Sequence, residues 1–122
     1  RGILDNREVS LQDTSQVLHF TYVVDIINSY MATIDYLQDM NSSGYEVINI
    51  GSQESYSIED IVSILENISS KKIQKKVATP YKLKEKTICN IQKARDVINW
   101  TPITSLEDGL RLTYNDYKNA VH

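Results

Sequence analysis

Seven lysines and a single acid, Glu85, fall between Lys71 and Lys86, giving a local charge of +6 in a chain whose net charge is −3. Ammonium groups at that density can hold phosphate, although lysine is a looser phosphate ligand than the planar fork of arginine. The plainer alternative is a solvated loop. Nucleic acid is a poor fit, because the whole chain is acidic and no groove-reading motif accompanies the lysines. His19, His122 and Cys89 lie too far apart in sequence to suggest a metal site. A dinucleotide fold needs a glycine-rich turn between strand and helix, so that backbone can approach the pyrophosphate. Gly2, Gly44, Gly51 and Gly109 do not have that spacing.

The elements that must position these groups read as a mixed α/β piece. At 122 residues the chain is at most one domain, and one that would bury only about two-thirds of its unfolded surface. The first residue is Arg1, as in a processed or shortened chain. A single cysteine suits a reducing compartment, and no apolar run approaches the ~20 residues that span a bilayer. No basic-then-apolar leader opens the chain, so a cytoplasmic location is expected. Val9 and Leu11 alternate with polar neighbours as in a half-buried strand, and Val17 to Val23 is a second extended run. A turn at 13–15 would pair the two as a hairpin.

The period then changes. Ile27, Tyr30, Met31, Ile34 and Leu37 recur at helical spacing, with Asp25 in the first turn. Tyr45 to Gly51 reads as an interior strand with apolar residues on both faces. Ser57 and Asp60 form a capping-box signature ahead of Ile58, Ile61, Val62, Leu65 and Ile68. Short strands are expected over 73–79 and 87–91. Asn90 is placed to cap a brief helix ending at Ile98. Ser105 and Asp108 open a last helix with Leu106, Leu110, Thr113, Tyr117 and Val121 on its apolar side.

Three stretches in order resemble the extended short-chain dehydrogenase/reductase family, in its NAD-dependent nucleotide-sugar epimerase/dehydratase branch. Residues 12–26, from Gln12-Asp13 through Phe20-Thr21-Tyr22-Val23-Val24-Asp25, are similar to that family's Gly-Asp-Gly-x-Gln-x-Arg-Asp-Phe-x-Tyr-Val-Asp-Asp-Val segment. Tyr45 to Ser52, then Tyr56 to Ile61, resemble its Val-Phe-Asn-Ile-Gly strand and Ser-capped helix. Asn90-Ile91-Gln92-Lys93-Ala94, Asn99-Trp100-Thr101-Pro102 and Ser105 to Leu110 look like its Asp-x-x-Lys-Ala, Gly-Trp-x-Pro and Ser-Leu-Glu-Glu-Gly-Leu ending.

The resemblance covers nearly the whole chain and what would be the last third of such an enzyme. It implies that residues 1–122 are one partial domain, the C-terminal substrate-binding portion of an extended Rossmann-type reductase, with a small mixed sheet and flanking helices. It implies NAD and a nucleoside-diphosphate sugar as ligands of the parent protein, and none of its cofactor on this chain alone. Family members use a Tyr-x-x-x-Lys pair, whose tyrosine takes the hydroxyl proton while hydride passes to nicotinamide. Tyr114 and Lys118 fit that spacing but lie after the Trp-x-Pro landmark, where the family has an ordinary surface helix. No catalytic residue is therefore assigned here. The expectation is a chain inactive by itself.

By the same resemblance, the arginine that contacts the diphosphate corresponds to Leu18, and its acidic neighbour to His19. A second arginine is replaced by Lys82, Lys84 and Lys86. His19, Phe20 and these three lysines are the candidate substrate contacts. Tyr22, Asp25, Gly51 and Trp100 are expected in structural roles: Tyr22 as a packed aromatic, Asp25 at the helix start, Gly51 in a close turn and Trp100 anchoring the last helix. The competing reading is a degenerate, non-catalytic ligand- or protein-binding module of the same fold. A cut strand and apolar surface would favour self-association of the piece, or a homodimer of the parent.

Overall fold

A computed structural model of the chain describes residues 2–11, 14, 17–39, 44–77 and 88–120. The chain divides into two units, each assembled from separate stretches of sequence. One comprises Arg1–Leu18, Tyr56–Lys86 and Ser105–His122, and the other His19–Ser55 and Thr87–Thr104.

The first unit contains β1 (Val9–Leu11), β2 (Val17–Leu18), β3 (Tyr56–Ser57), α2 (Ile58–Ser69), β4 (Lys75–Val77) and α4 (Leu106–Ala120). Its local logic is set by caps. The Ser57 hydroxyl oxygen accepts from the Asp60 N–H at 3.1 Å, and the Asp60 carboxylate accepts from the Ser57 N–H at 2.8 Å. This reciprocal box satisfies N–H groups that the first helical turn cannot pair internally. The Ser57 hydroxyl and then its backbone N–H hold the Asp60 carboxyl below its usual value. Ile58, Ile61, Leu65 and Ile68 are half-buried and Val62 is buried, so the expected stripe is the inner face of α2, which packs on α4.

Helix α2 ends at Ser70, whose φ of 54° is left-handed without being glycine. Beyond it, Glu66 latches the chain by accepting from Lys72 Nζ at 2.7 Å and from the Ile73 N–H at 2.9 Å. The Lys72 contact and then the Ile73 N–H lower the Glu66 pKa. Ser105 caps α4 through the Asp108 N–H at 3.1 Å. On that helix Leu106 and Leu110 are half-buried, whereas Thr113 and Tyr117 are exposed. Val121 lies outside the described residues.

The expected hairpin does not form. β1 runs parallel to β4, with Val9 opposite Lys75, and β2 runs antiparallel to β3, with Leu18 opposite Tyr56. The result is two separate two-stranded ribbons. The physical reason is α2: β3 leads straight into it and β4 follows it, so both ends of that helix offer a strand to the N-terminal segment. The Val9 N–H donates to the Gln74 carbonyl at 2.8 Å, and the Glu59 N–H donates to the Thr14 carbonyl at 3.1 Å.

The second unit contains α1 (Val23–Asp39) and α3 (Gln92–Ile98). Its core is Ile91, Ala94, Ile98 and Trp100, packed against Ala32, Tyr36, Ile48, Ile50, Cys89 and Val97. The cap position of α3 is Ile91, one residue beyond the expected Asn90, whose side chain accepts from the Gln92 N–H at 2.9 Å. Asn99 ends it with φ 50°, a conformation asparagine tolerates.

Three expectations fail here. Residues 45–51 carry a strand's composition, yet no strand among the described residues pairs with them, and residues 88–91 are not a strand either. Nor does α1 bury its most apolar stripe. Asp25, Ser29, Ala32 and Tyr36 face inward, while Ile27, Tyr30, Met31, Ile34 and Leu37 are all exposed.

Candidate functional site

Residues 19–22 lead into α1 and are held along the loop at 52–54. His19 Nδ1 lies 2.9 Å from the Glu54 carbonyl, and the Thr21 hydroxyl accepts from the Ser52 N–H at 2.9 Å. The carbonyl accepts, so the Nδ1 of His19 is the protonated nitrogen in this contact. That orients a half-buried imidazole. Phe20 is 40% exposed, so it presents an aromatic surface instead of filling the core. Tyr22 is half-buried.

The same loop also binds a residue of α3 that sequence reasoning missed. Arg95 Nη2 donates to Gln53 Oε1 at 2.6 Å, across 42 positions of sequence. Arg95 is an exposed guanidinium bound to the residue next to Glu54, which His19 touches. Its one sequence signal is adjacency to the Lys93-Ala94 landmark. The pairing with Gln53 follows no periodicity and could not be read in advance. Together His19, Phe20 and Arg95 offer an imidazole, an aromatic face and a cation on segments joined through one loop. That is chemistry suited to a polar, anionic ligand bearing a flat or apolar part.

Leu18 forms part of β2 opposite Tyr56, and leucine supplies no charge there. Lys82, Lys84 and Lys86 lie outside the described residues. The described lysines of the basic stretch are largely committed: Lys71 Nζ donates to Asn6 Oδ1 at 3.2 Å, Lys72 pairs with Glu66, and Lys75 pairs with Glu59. That half of the stretch behaves as a solvated, locally neutralised surface.

Asp25 is 1% exposed. Its Oδ2 accepts from the Thr104 N–H at 3.1 Å, and its carbonyl accepts from Trp100 Nε1 at 2.9 Å. Trp100, expected to anchor the last helix, is thus tied to the start of α1. Gly51 was expected in a close turn, but no described glycine has positive φ. Its reason is space, since a Cβ there would lie 3.2 Å from both Cβ and Sγ of Cys89. Tyr114 is half-buried and Lys118 exposed on α4, as a surface helix requires.

A recess of about 450 Å³ is lined by Asn49, Asn90, Gln92, Lys93, Asp96 and Val97, none of them an expected site residue. Its charged groups are engaged locally: Gln92 donates to Asp96 at 2.9 Å, and Lys93 lies 3.6 Å from Glu46. Among the described residues no cluster of three metal-ligating side chains occurs, and no helix is long and apolar enough to cross a membrane. The four glycines of the sequence lack the spacing that a pyrophosphate-binding turn needs.

No protein-family model matches the chain. It is 36% identical over 111 residues to the UDP-glucuronate 4-epimerase of Thermodesulfobacterium geofontis, a match covering 89% of this chain and 32% of that protein. The chain spans about a third of the length of the curated relatives it matches. Among solved structures, the UDP-glucuronic acid 4-epimerase from Bacillus cereus in complex with UDP-glucuronic acid and NAD superposes with a TM-score of 0.82 at 32% identity, over 99% of this chain and 38% of that one. The Thermotoga maritima UDP-glucose 4-epimerase with UDP-glucose gives 0.80 at 26% identity, again over 99% of this chain and 38% of that one. Along essentially its whole length the chain is similar, in sequence and in fold, to the matched portion of NAD-dependent nucleotide-sugar epimerases of the extended short-chain dehydrogenase/reductase family.

Proposed function

We propose that this chain is the substrate-side portion of an NAD-dependent enzyme that epimerises or dehydrates a nucleoside-diphosphate sugar, and that it does not carry the redox step itself. One observation supports this above the others. The chain aligns from end to end with under two-fifths of an epimerase that holds both UDP-glucuronic acid and NAD, yet its sequence has no dinucleotide glycine turn. NAD would supply reversible hydride acceptance from a sugar carbon in the parent. The residues of this chain would do the binding. His19 and Arg95 would face the anionic part of the ligand, Phe20 would stack on a flat part, and Lys82, Lys84 and Lys86 would add long-range attraction.

A second reading rests on Leu18. A leucine where the resembled segment has arginine removes a bidentate phosphate contact, which suits a module that has kept the fold and lost the sugar nucleotide. The two readings separate by calorimetry. UDP-glucuronic acid is titrated into the chain alone, and into the chain co-expressed with the other three-fifths of the Bacillus cereus epimerase. Saturable, salt-sensitive binding by the paired halves alone is expected, weakened at least tenfold by His19→Ala or Arg95→Ala. A paired complex that holds NAD but ignores the sugar nucleotide favours the module.

A further inference from the structure

Because β1 and β4 run parallel, the segments that precede them meet at one end of the ribbon. There residues 2–7 and 72–74 enclose a polar recess of about 210 Å³, with Asn6, Arg7, Lys72 and Gln74 in its wall and no carboxylate among the lining residues. Both walls are built by the fold. On one side the Arg7 N–H donates to the Gly2 carbonyl at 2.9 Å, and Asn6 turns the chain with a left-handed φ of 52°. Glycine is required at position 2, because a Cβ there would lie 2.8 Å from Cγ2 of Val9. On the other side the Gln74 carbonyl accepts from the Val9 N–H at 2.8 Å, and Glu66 holds the Ile73 N–H at 2.9 Å. Lys71 ties the two sides together: its Nζ donates to Asn6 Oδ1 at 3.2 Å and to the Ile3 carbonyl at 3.5 Å.

What this wall has left to offer is donors. Asn6 spends its side-chain oxygen on Lys71, so the end of that amide still to be used is the NH2 group. Lys72 gives one N–H to Glu66 and keeps the others of its ammonium group. Asp5 meets Arg7 only through Nε, at 3.7 Å, and among the described residues neither Nη of that guanidinium has a hydrogen-bond partner. Arg7 and Lys72 each have a carboxylate beside them, whereas the Lys71 ammonium is bonded to neutral oxygens, so the local balance is positive.

We propose that this recess binds a small hydroxylated phosphomonoester. A planar carboxylate offers two oxygens, which an arginine fork alone would use up. A phosphomonoester brings three acceptor oxygens and a charge of about −1.5 to −2, which suits donors from Arg7, Lys72 and Asn6 together. Gln74 carries an amide that both donates and accepts, as a hydroxyl partner must. The volume equals that of about seven waters and lies below the roughly 300–1,000 Å³ of pockets for drug-sized ligands, so a nucleotide sugar is too large for it. A bound ester bridges residues 2–7 and 72–74 and so tightens the β1–β4 ribbon. The site does not depend on the function proposed above.

The test titrates the full chain with glucose 6-phosphate, followed by amide chemical shifts in NMR spectra and by calorimetry. Saturable binding should move the Asn6, Arg7 and Gln74 amides and weaken several-fold as salt rises from about 50 to about 200 mM. Arg7→Ala and Asn6→Gly should each weaken it at least about tenfold. Lys76→Ala, which removes an exposed cation of β4 outside the recess, should leave it unchanged. The Arg7 side chain is 76% exposed and glycine accepts the φ of Asn6, so both variants should keep the circular dichroism and melting of the chain. Inorganic phosphate should bind at least about tenfold more weakly than the ester, since it leaves Gln74 unused. Absence of saturation, shifts confined to other amides, or an equal loss in Lys76→Ala overturns the site. Inorganic phosphate binding as tightly as the ester, or UDP-glucuronic acid moving the same amides, overturns the ligand assigned to it.

Discussion

Replacing Asp25 by alanine should destabilise the α1 unit far more than replacing it by asparagine. The carboxylate is 1% exposed and accepts the Thr104 N–H at 3.1 Å. Alanine removes that acceptor and strands the amide. A hydrogen bond to a charged partner contributes about 1.5–3 kcal/mol. A first-turn carboxylate adds about 0.3–1 kcal/mol through the helix dipole, so Asp25→Ala should cost about 2–4 kcal/mol. Asparagine keeps an oxygen at the same place and loses the charge, so its cost should be about 1 kcal/mol. The chain has one tryptophan, and its Nε1 donates to the Asp25 carbonyl, so Trp100 fluorescence reports this joint directly. In urea, with a slope of about 1.5 kcal/mol per molar, Asp25→Ala should lower the midpoint by roughly 1.3–2.7 M and Asp25→Asn by under about 1 M. If asparagine is as damaging as alanine, charge is what Asp25 supplies. If alanine is silent, the buried carboxylate holds nothing in place. Either result refutes the argument that a shaped acceptor joins the start of α1 to Thr104.

Three further outcomes follow from local geometry. Ser70→Gly should raise stability by roughly 0.5–1 kcal/mol, seen as a melting temperature a few degrees higher, because Ser70 ends α2 in the left-handed region at φ 54°. Gly51→Ala should cost about 1 kcal/mol in chemical denaturation, since its methyl would meet the Cys89 side chain at 3.2 Å. Acid should weaken the α2 unit: Asp60 and Glu66 have folded pKa values below their usual 3.8 and 4.5. Their stabilisation is therefore complete above about pH 4.5 and is lost as the pH falls through the lowered folded values. Asp60→Asn with Glu66→Gln should flatten that part of the pH–stability profile, and an unchanged profile would show that these carboxylates are not the groups titrating.

How much of this could be read from the residues divides by the range of the forces involved. The caps were legible because they are local: Ser57 and Asp60 are three residues apart, as are Ser105 and Asp108, and each pair closes within one helical turn. The existence of α1, α2, α3 and α4 followed from periodicity for the same reason. Pairing was not legible. Val9 to Leu11 carries a strand's alternation, but nothing in it chooses between a neighbour at 17 and a neighbour at 75, and the strand that wins is the one α2 delivers. The Arg95–Gln53 contact was invisible for a related reason, since it joins α3 to a loop 42 positions earlier in the sequence.

Residues 45–51 and α1 show the same limit more sharply. Periodicity identifies which residues want an apolar neighbour, and it is silent on whether that neighbour is within reach. In α1 the stripe of Ile27, Tyr30, Met31, Ile34 and Leu37 is exposed, whereas Ala32 and Tyr36 pack on the core of Ile91, Ala94, Ile98 and Trp100, and Asp25 and Ser29 are buried. A helix in water normally buries its apolar side first, at about 25 cal/mol per Å². The inward polar groups lose little here because they are bonded: Ser29 donates to the Ile26 carbonyl at 2.7 Å and Asp25 accepts from Thr104. The unit therefore holds α1 by specific polar contacts together with Ala32 and Tyr36 on its core, and the larger apolar stripe stays exposed.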